Sequence, residues 1–249
     1  MRPDDLVEFS RQSYGSRSSL DAWDNEEANA YGLNPLEEEL LNHVPQSGGR
    51  ALLLGVGAGR EVGPLADRNY EITAVDFVAE LLEKASENSA RRGVKLGILE
   101  QEISKLEAPA GHFDLVWLSS GMYSCVPTSG RRVEMARRIR KCLKPGGYFV
   151  FGFVLGKTNK LRTIPQMLRT AFAYLTLGNL TFEPGDTLWH NSEFIHVFSS
   201  GDEVESELRQ AGFDPVVINA DLWGGAVFHK PYPARERADA IRREGRLHQ

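Results

Sequence analysis

The hydrophobic pattern is uneven over the first 48 residues and regular after them. Ala51-Leu52-Leu53-Leu54 is a continuous apolar run of the kind found in strands covered on both faces. Ile72-Thr73-Ala74-Val75 is a second such run and ends at Asp76. Between them a glycine loop, Gly55-Val56-Gly57-Ala58-Gly59, leads into a helix expected from about Arg60. Val78, Leu81, Leu82 and Ala85 recur at i, i+3, i+4 and i+7, which predicts one buried helical face, closed by Gly93. Residues 94–99 and 113–118 read as the third and fourth strands. A helix over 131–143 buries Met135, Ala136, Ile139, Cys142 and Leu143. Lys144-Pro145-Gly146-Gly147 then turns into a fifth strand over 148–154. Strands alternating with helices predict an α/β fold with a parallel sheet wound on both faces.

The flanks are less regular. Pro35 suits the first turn of a helix running through Leu40-Leu41, and Pro45 to Gly49 breaks it. Residues 156–198 interrupt the alternation with a helical face (Ile164, Met167, Leu168, Ala171, Phe172, Leu175) and a polar stretch carrying Trp189, His190, Glu193 and His196. Ser200-Gly201-Asp202-Glu203 has capping-box spacing before a helix burying Val204, Leu208 and Ala211. Two last strands, 216–218 and 226–228, are expected to be joined by a turn at Gly224-Gly225. So short a link suits a hairpin, not a parallel crossover. The expected organisation is one domain over 1–249: an N-terminal cap (1–48), a core (49–155), an insertion or lid (156–198), the end of the core (199–230) and a charged tail (231–249).

Composition narrows the function. Of 249 residues, 41% are hydrophobic and 25% charged, as in an ordinary globular protein. The net charge of -5 argues against a nucleic-acid coat, because phosphate binding draws on clustered Lys and Arg. The N-terminus, Met1-Arg2-Pro3-Asp4-Asp5, lacks the apolar core of a signal peptide, and the longest apolar run, near Phe149 to Leu155, is far short of a membrane span. Cys125 and Cys142 stand outside any Cys/His cluster, so no metal site or disulfide framework is expected, and reduced thiols suit a cytoplasmic enzyme.

Chemistry concentrates at the strand ends. Glycines between a buried strand and a helix let the backbone turn tightly and approach a ligand, although a plain tight turn uses them as well. Asp76 ends the second strand about 20 residues beyond the first glycine, where a carboxylate accepts from ribose hydroxyls. It is equally placed to cap the next helix. Arg60 follows Gly59 directly, so the dinucleotide fingerprint G-x-G-x-x-G is not met. Glu102 follows the third strand.

These segments in this order resemble class I S-adenosylmethionine (SAM)-dependent methyltransferases. Leu52 to Glu61 is similar to the family's glycine motif, Ala74-Val75-Asp76-Phe77 to its ribose motif and Gln101-Glu102-Ile103 to its acidic adenine motif. Phe113 to Leu118 and Leu143-Lys144-Pro145-Gly146-Gly147 resemble its fourth strand and the turn into its fifth. The resemblance spans roughly 45–230. It implies a Rossmann-like doubly wound sheet of seven strands, order 3-2-1-4-5-7-6 with the seventh antiparallel, and SAM as cofactor. Gly55, Gly57 and Gly59 would line the methionine and ribose part of SAM. Asp76 would hold the ribose, Phe77, Glu102 and Ile103 would meet the adenine, and Ser119 would face the methionine end. Tyr31 lies where N-terminal segments of the family cover the cofactor.

In one place the chain departs from the pattern. Many members carry an acid two residues before the first glycine, whereas this chain has Leu53. Glu61 either compensates or merely complements a helix N-terminus. His190 and His196 in the insertion are candidate bases, and Tyr123 and Trp189 candidate acceptor-pocket residues. Ser119-Ser120-Gly121-Met122 is not the Asn/Asp-Pro-Pro-aromatic motif of enzymes that methylate exocyclic or amide nitrogens. The expected partner is a small-molecule acceptor, oxygen slightly favoured over nitrogen, with neither nucleic acid nor membrane. The alternatives are a non-catalytic SAM-binding or regulatory protein and a nicotinamide-dependent oxidoreductase.

Overall fold

A computed structural model describes residues 2–23, 32–45, 48–156, 181–189, 193–220 and 223–233. Its centre is a seven-stranded sheet. In chain order the elements feeding it are β1 (Gly49–Leu54), α4 (Val62–Asp67), β2 (Tyr70–Asp76), α5 (Ala79–Arg91), β3 (Gly97–Glu100), β4 (Phe113–Leu118), α6 (Ser129–Cys142) and β5 (Leu143–Val154). Helices α1 (Pro3–Tyr14), α2 (Arg17–Trp23) and α3 (Pro35–Asn42) precede them. A separate antiparallel hairpin follows, β6 (Asp186–Trp189) with β7 (Glu193–His196), and then α7 (Gly201–Gln210), β8 (Asp214–Asn219) and β9 (Trp223–His229).

The sheet order is β3-β2-β1-β4-β5-β9-β8. Neighbours from β3 to β5 pair in parallel, and β9 runs antiparallel to both β5 and β8. With the small hairpin set aside, this is the expected 3-2-1-4-5-7-6 arrangement. The apolar run of β1 has a simple cause. Leu52 and Leu54 face one layer, with Met135, Ala136 and Ile139 of α6 and Val204 and Leu208 of α7. Ala51 and Leu53 face the other, with Leu40 and Leu41 of α3, Leu65 of α4, and Leu82 and Ala85 of α5. A strand covered on both sides shows no alternation.

Several boundaries differ from expectation, each for a local reason. The third strand starts at Gly97, not 94, because the Val94 N–H is spent closing α5, donating to Ser89 O at 2.9 Å. The turn at 144–147 is a bulge inside β5: the register with β4 shifts between Phe113↔Leu143 and Leu115↔Tyr148. Gly224 and Gly225 are not the hairpin turn but lie within β9. Glycine is required there because a Cβ would come within 2.4 Å of the Phe153 ring at Gly224 and 2.6 Å of Leu40 Cδ1 at Gly225. The Ser200 side chain makes no cap bond to α7; Ser199 bonds Glu203 instead. The helical face over 164–175 and the charged tail beyond 233 lie outside the described residues. Among the described residues, no helix is long and apolar enough to cross a membrane.

Candidate active site: a cleft over the glycine loop

The C-terminal ends of β1, β2, β3 and β4 converge on one point, the crevice where open α/β sheets bind ligands. Backbone bonds set its floor. Gly55 and Val56 donate to Val75 O at 2.8 and 3.2 Å, and Gln101 donates to Asp76 O at 2.8 Å. Two glycines explain the loop's composition. Gly57 has φ +52°, and a side chain there would stand in open space, so the loop surface is bare. Gly59 has φ +95°, and its Cβ would lie 3.3 Å from Ala85 Cα, so the loop packs tightly on α5.

Asp76 is 6% exposed. Its Oδ2 accepts from Gly57 N–H at 3.1 Å, and its Oδ1 accepts from Phe77 and Val78 N–H at 2.8 and 3.1 Å. It therefore ties the glycine loop to β2 and organises the entry to α5 together. Burial pushes its pKa above the ordinary range against the pull of the three N–H donors. A carboxylate offers about four acceptor sites, so one on Oδ2 is left for a ligand hydroxyl. Glu102, mostly buried, pairs with Lys105 Nζ at 2.7 Å and accepts from Ser104.

Gly55, Asp76, Phe77, Glu102, Ile103 and Ser104 form one wall of a cleft. Five of the nine candidate cofactor residues thus meet at one surface. Gly57 and Gly59 sit in the adjoining loop, and Ser119 lies buried at the end of β4, its hydroxyl without a hydrogen-bond partner. Tyr31 is outside the described residues.

The opposite wall is one that sequence reasoning missed. Val7, Ser10 and Tyr14 of α1 face Met122, Cys125, Val126 and Pro127 from the β4–α6 connection. The spacing of Val7, Ser10 and Tyr14 places them on one helical face, the only trace of this role in the sequence. Tyr14 lies 6.4 Å from the Phe77 ring, and its hydroxyl donates to the Glu193 carboxylate. The Phe194 N–H donates to Ser10 Oγ at 3.3 Å, so the β6–β7 hairpin holds α1 in place. Burial pushes the Tyr14 phenol far above its usual value and the Cys125 thiol up to about 12. Neither ionises at neutral pH.

The remaining candidates lie elsewhere. His190 is outside the described residues. His196 is 4% exposed and does not line the cleft; its Nδ1 is 2.8 Å from Asp186 Oδ1. Tyr123 is fully buried and donates to Glu207 at 2.7 Å, in a core of Phe151 and Phe198. Trp189 packs 6.3 Å from Trp223, also away from the cleft. Glu183, Asp186 and His196 bring potential metal-ligand atoms within 4.8 Å of one another. Each of the two carboxylates already has protein partners. Glu183 accepts from Arg132 Nη2 at 3.0 Å and from Ser129, and Asp186 meets His196 and the Glu183 N–H. Arg132, 1% exposed, also binds Glu207 through Nε and Nη2. This network joins the hairpin to α6 and α7.

Residues 51–147 match the methyltransferase-domain family. A phosphatidylethanolamine N-methyltransferase of Cereibacter sphaeroides is 35% identical over 102 residues, covering 40% of this chain and 49% of that protein. A ubiquinone biosynthesis O-methyltransferase of Xanthomonas axonopodis is 30% identical over 122 residues, covering 47% and 48%. The chain thus spans about half the length of these relatives. Among solved structures, a 1,6-didemethyltoxoflavin-N1-methyltransferase of Burkholderia thailandensis, with bound 1,6-didemethyltoxoflavin and S-adenosylhomocysteine, superimposes with a TM-score of 0.65. It is 19% identical and covers 93% of this chain and 91% of its own. A SAM-dependent methyltransferase of Methanosarcina mazei gives 0.62 at 19% identity, covering 81% and 100%. Over residues 51–147 this chain is thus similar to the methyltransferase domain, and its fold is shared with solved SAM-dependent methyltransferases.

Proposed function

We propose that this protein transfers a methyl group from SAM to a small-molecule acceptor. The observation that carries the proposal is the cleft wall made by Gly55, Asp76, Phe77, Glu102 and Ile103 at the ends of three parallel strands. The residues fit the cofactor chemically. Gly57 leaves the loop bare, Asp76 keeps one acceptor site, Phe77 and Ile103 offer apolar surface to a purine, and the Ser119 hydroxyl is buried without a partner.

When bound, SAM supplies an electrophilic sulfonium methyl, so the hard chemistry is the cofactor's. The chain's task is to orient and to exclude water. Val7, Ser10 and Tyr14 cover the cleft from above, latched to the hairpin through Tyr14–Glu193 and Ser10–Phe194. With its thiol held to about 12, Cys125 is no nucleophile at neutral pH. The relatives include both N- and O-methyltransferases. Oxygen remains our slight preference for the acceptor atom, from the absence of the nitrogen-type motif after β4.

Calorimetry with S-adenosylhomocysteine and with NADH tests the proposal. Binding of the first alone is expected. Binding of NADH alone would favour an oxidoreductase, and no S-adenosylhomocysteine binding at millimolar ligand would refute the proposal. A SAM-consumption screen over phenols, amines, carboxylic acids and thiols then identifies the acceptor class; no turnover in any class would favour a non-catalytic SAM binder.

A further inference from the structure

Beyond the Met122 end of the cleft the sheet projects farther. β5 outruns β4: Leu118 pairs with Phe151, and Gly152 to Val154 extend about 10 Å past it, at about 3.3 Å per residue. β9 runs antiparallel to β5, so its first residue, Trp223, pairs with Val154 at this projecting end. That is the same end of the sheet as the glycine loop. Trp189, which ends β6, meets Trp223 with ring centroids 6.3 Å apart and planes tilted by 49°. Neither ring lines the cleft, but Gly121 joins them to it. A Cβ on Gly121 would lie 3.3 Å from Val154 Cγ2 and 3.9 Å from Trp223 Cζ3, so the bare backbone after β4 runs directly beside the indole. The next residue, Met122, lines the cleft, and a Cβ on Gly55 would lie 3.2 Å from its Cγ. Two neighbouring residues thus separate the glycine loop from the indole pair.

Trp223 is 53% exposed, although the five residues after it in β9 are all buried. Leu188, next to Trp189, is 43% exposed. The size of this patch decides what kind of partner fits it. The open half of one indole is about 100 Å² of apolar surface. A stable protein interface needs about 800 Å² from each partner. The patch falls far short of that and matches one ring of a small molecule.

Resting on the methyl-transfer reading above, we infer that Trp223 and Trp189 form the platform for the methyl acceptor, and that the acceptor presents an aromatic ring to it. Indole faces take flat rings by offset or edge-to-face contact, which rewards aromatic ligands beyond the area they bury. Trp223 supplies the open face at the projecting end of β5. Trp189 is a positioning residue that holds the Trp223 indole at its angle. An aliphatic amine held over the indole by cation–π attraction is the competing occupant.

The test uses 2-naphthol and decahydro-2-naphthol, which share a carbon skeleton and a hydroxyl and differ in aromaticity. Their affinities are read by ligand-detected NMR titration of the full chain saturated with S-adenosylhomocysteine, with ethanolamine as a third ligand. The wild-type chain is expected to bind 2-naphthol the most tightly of the three. Trp223→Ala is expected to weaken 2-naphthol by about 5- to 30-fold and the saturated alcohol much less, with S-adenosylhomocysteine affinity unchanged. Because Trp223 is half exposed, its truncation leaves the core intact. Trp189→Ala is expected to lower the same aromatic preference and Trp189→Phe to restore it. A wild-type chain without that preference, or a folded Trp223→Ala that keeps it, overturns the inference. Loss of ethanolamine binding alone in Trp223→Ala overturns it in favour of an ammonium ligand. A dimer in analytical ultracentrifugation that Trp223→Ala abolishes, with 2-naphthol unaffected, overturns it in favour of a second copy of the chain. These outcomes leave the cofactor reading standing as long as S-adenosylhomocysteine binds; a wild-type chain that does not bind it refutes that reading and this inference together.

Discussion

Asp76→Asn separates the ligand role of this residue from its structural role. The carboxylate serves three backbone donors at 2.8 to 3.1 Å. An asparagine can keep its oxygen toward Phe77 and Val78, but its amide nitrogen then faces the Gly57 N–H, donor against donor. An unsatisfied donor of this kind costs about 1–3 kcal/mol. The substitution also removes a buried charge whose pKa is raised, so part of that cost is returned. The expected net loss of stability is therefore small, about 1–2 kcal/mol. Ligand binding has no such offset, since a ribose hydroxyl loses a charged acceptor, worth about 10- to 100-fold in affinity.

Chemical denaturation and calorimetry with both S-adenosylhomocysteine and 5′-methylthioadenosine measure the two effects. Both ligands carry the ribose, so both should weaken together. A folded variant with unchanged affinity for both refutes the ribose role. The pH dependence adds a second check. Because the folded pKa of Asp76 is raised, its contribution is fully present below the unfolded value near 3.8 and lost as pH rises through the folded value. The wild type should thus gain stability over Asp76→Asn as pH falls toward 4, and the opposite slope would show the pKa shift to be wrong in sign.

Other substitutions probe the supporting structure. Arg132→Met leaves Glu207 and Glu183 without their cation and should cost about 3–5 kcal/mol in urea denaturation; a loss under 1 kcal/mol would mean that water satisfies them. Tyr14→Phe breaks the latch between α1 and the hairpin and strands the Glu193 carboxylate, lowering stability by about 1–3 kcal/mol, and an unchanged denaturation midpoint would refute the latch. Gly225→Ala drives a Cβ into Leu40 and should cost about 1–3 kcal/mol, visible as a lowered Tm. Cys125 should resist iodoacetamide at pH 8 and label faster with rising pH up to about 12; rapid labelling at pH 8 in the folded chain would contradict its burial.

The local sequence pattern was enough to find the central strands and the residues at their ends. A strand covered on both faces is apolar at most positions, so Ala51 to Leu54, Ile72 to Val75 and Phe113 to Leu118 were visible as local runs broken only by Thr73 and Asp114. Gly55, Asp76, Phe77, Glu102 and Ile103 were visible because each sits next to a strand end, and strand ends of one parallel sheet come together whatever the rest of the chain does. What depends on contacts distant in sequence was not legible. Tyr14 meets Glu193 across 179 positions, and Tyr123 and Arg132 meet Glu207 across 84 and 75. No local pattern distinguishes such a tyrosine from a pocket aromatic, so Tyr123 read as an acceptor contact is a core residue in the folded chain, and the α1 face read as polar cap is a cleft wall. The glycine pair at 224–225 carries the same lesson. Glycine marks either a turn or a close approach, and only the packing of Leu40 and Phe153 against β9 decided between them. The buried ion pairs are the sharpest case: only tertiary structure brought Glu37 of α3 and Glu61 onto Arg60, because burial and pairing of charge are properties of the fold and not of the chain.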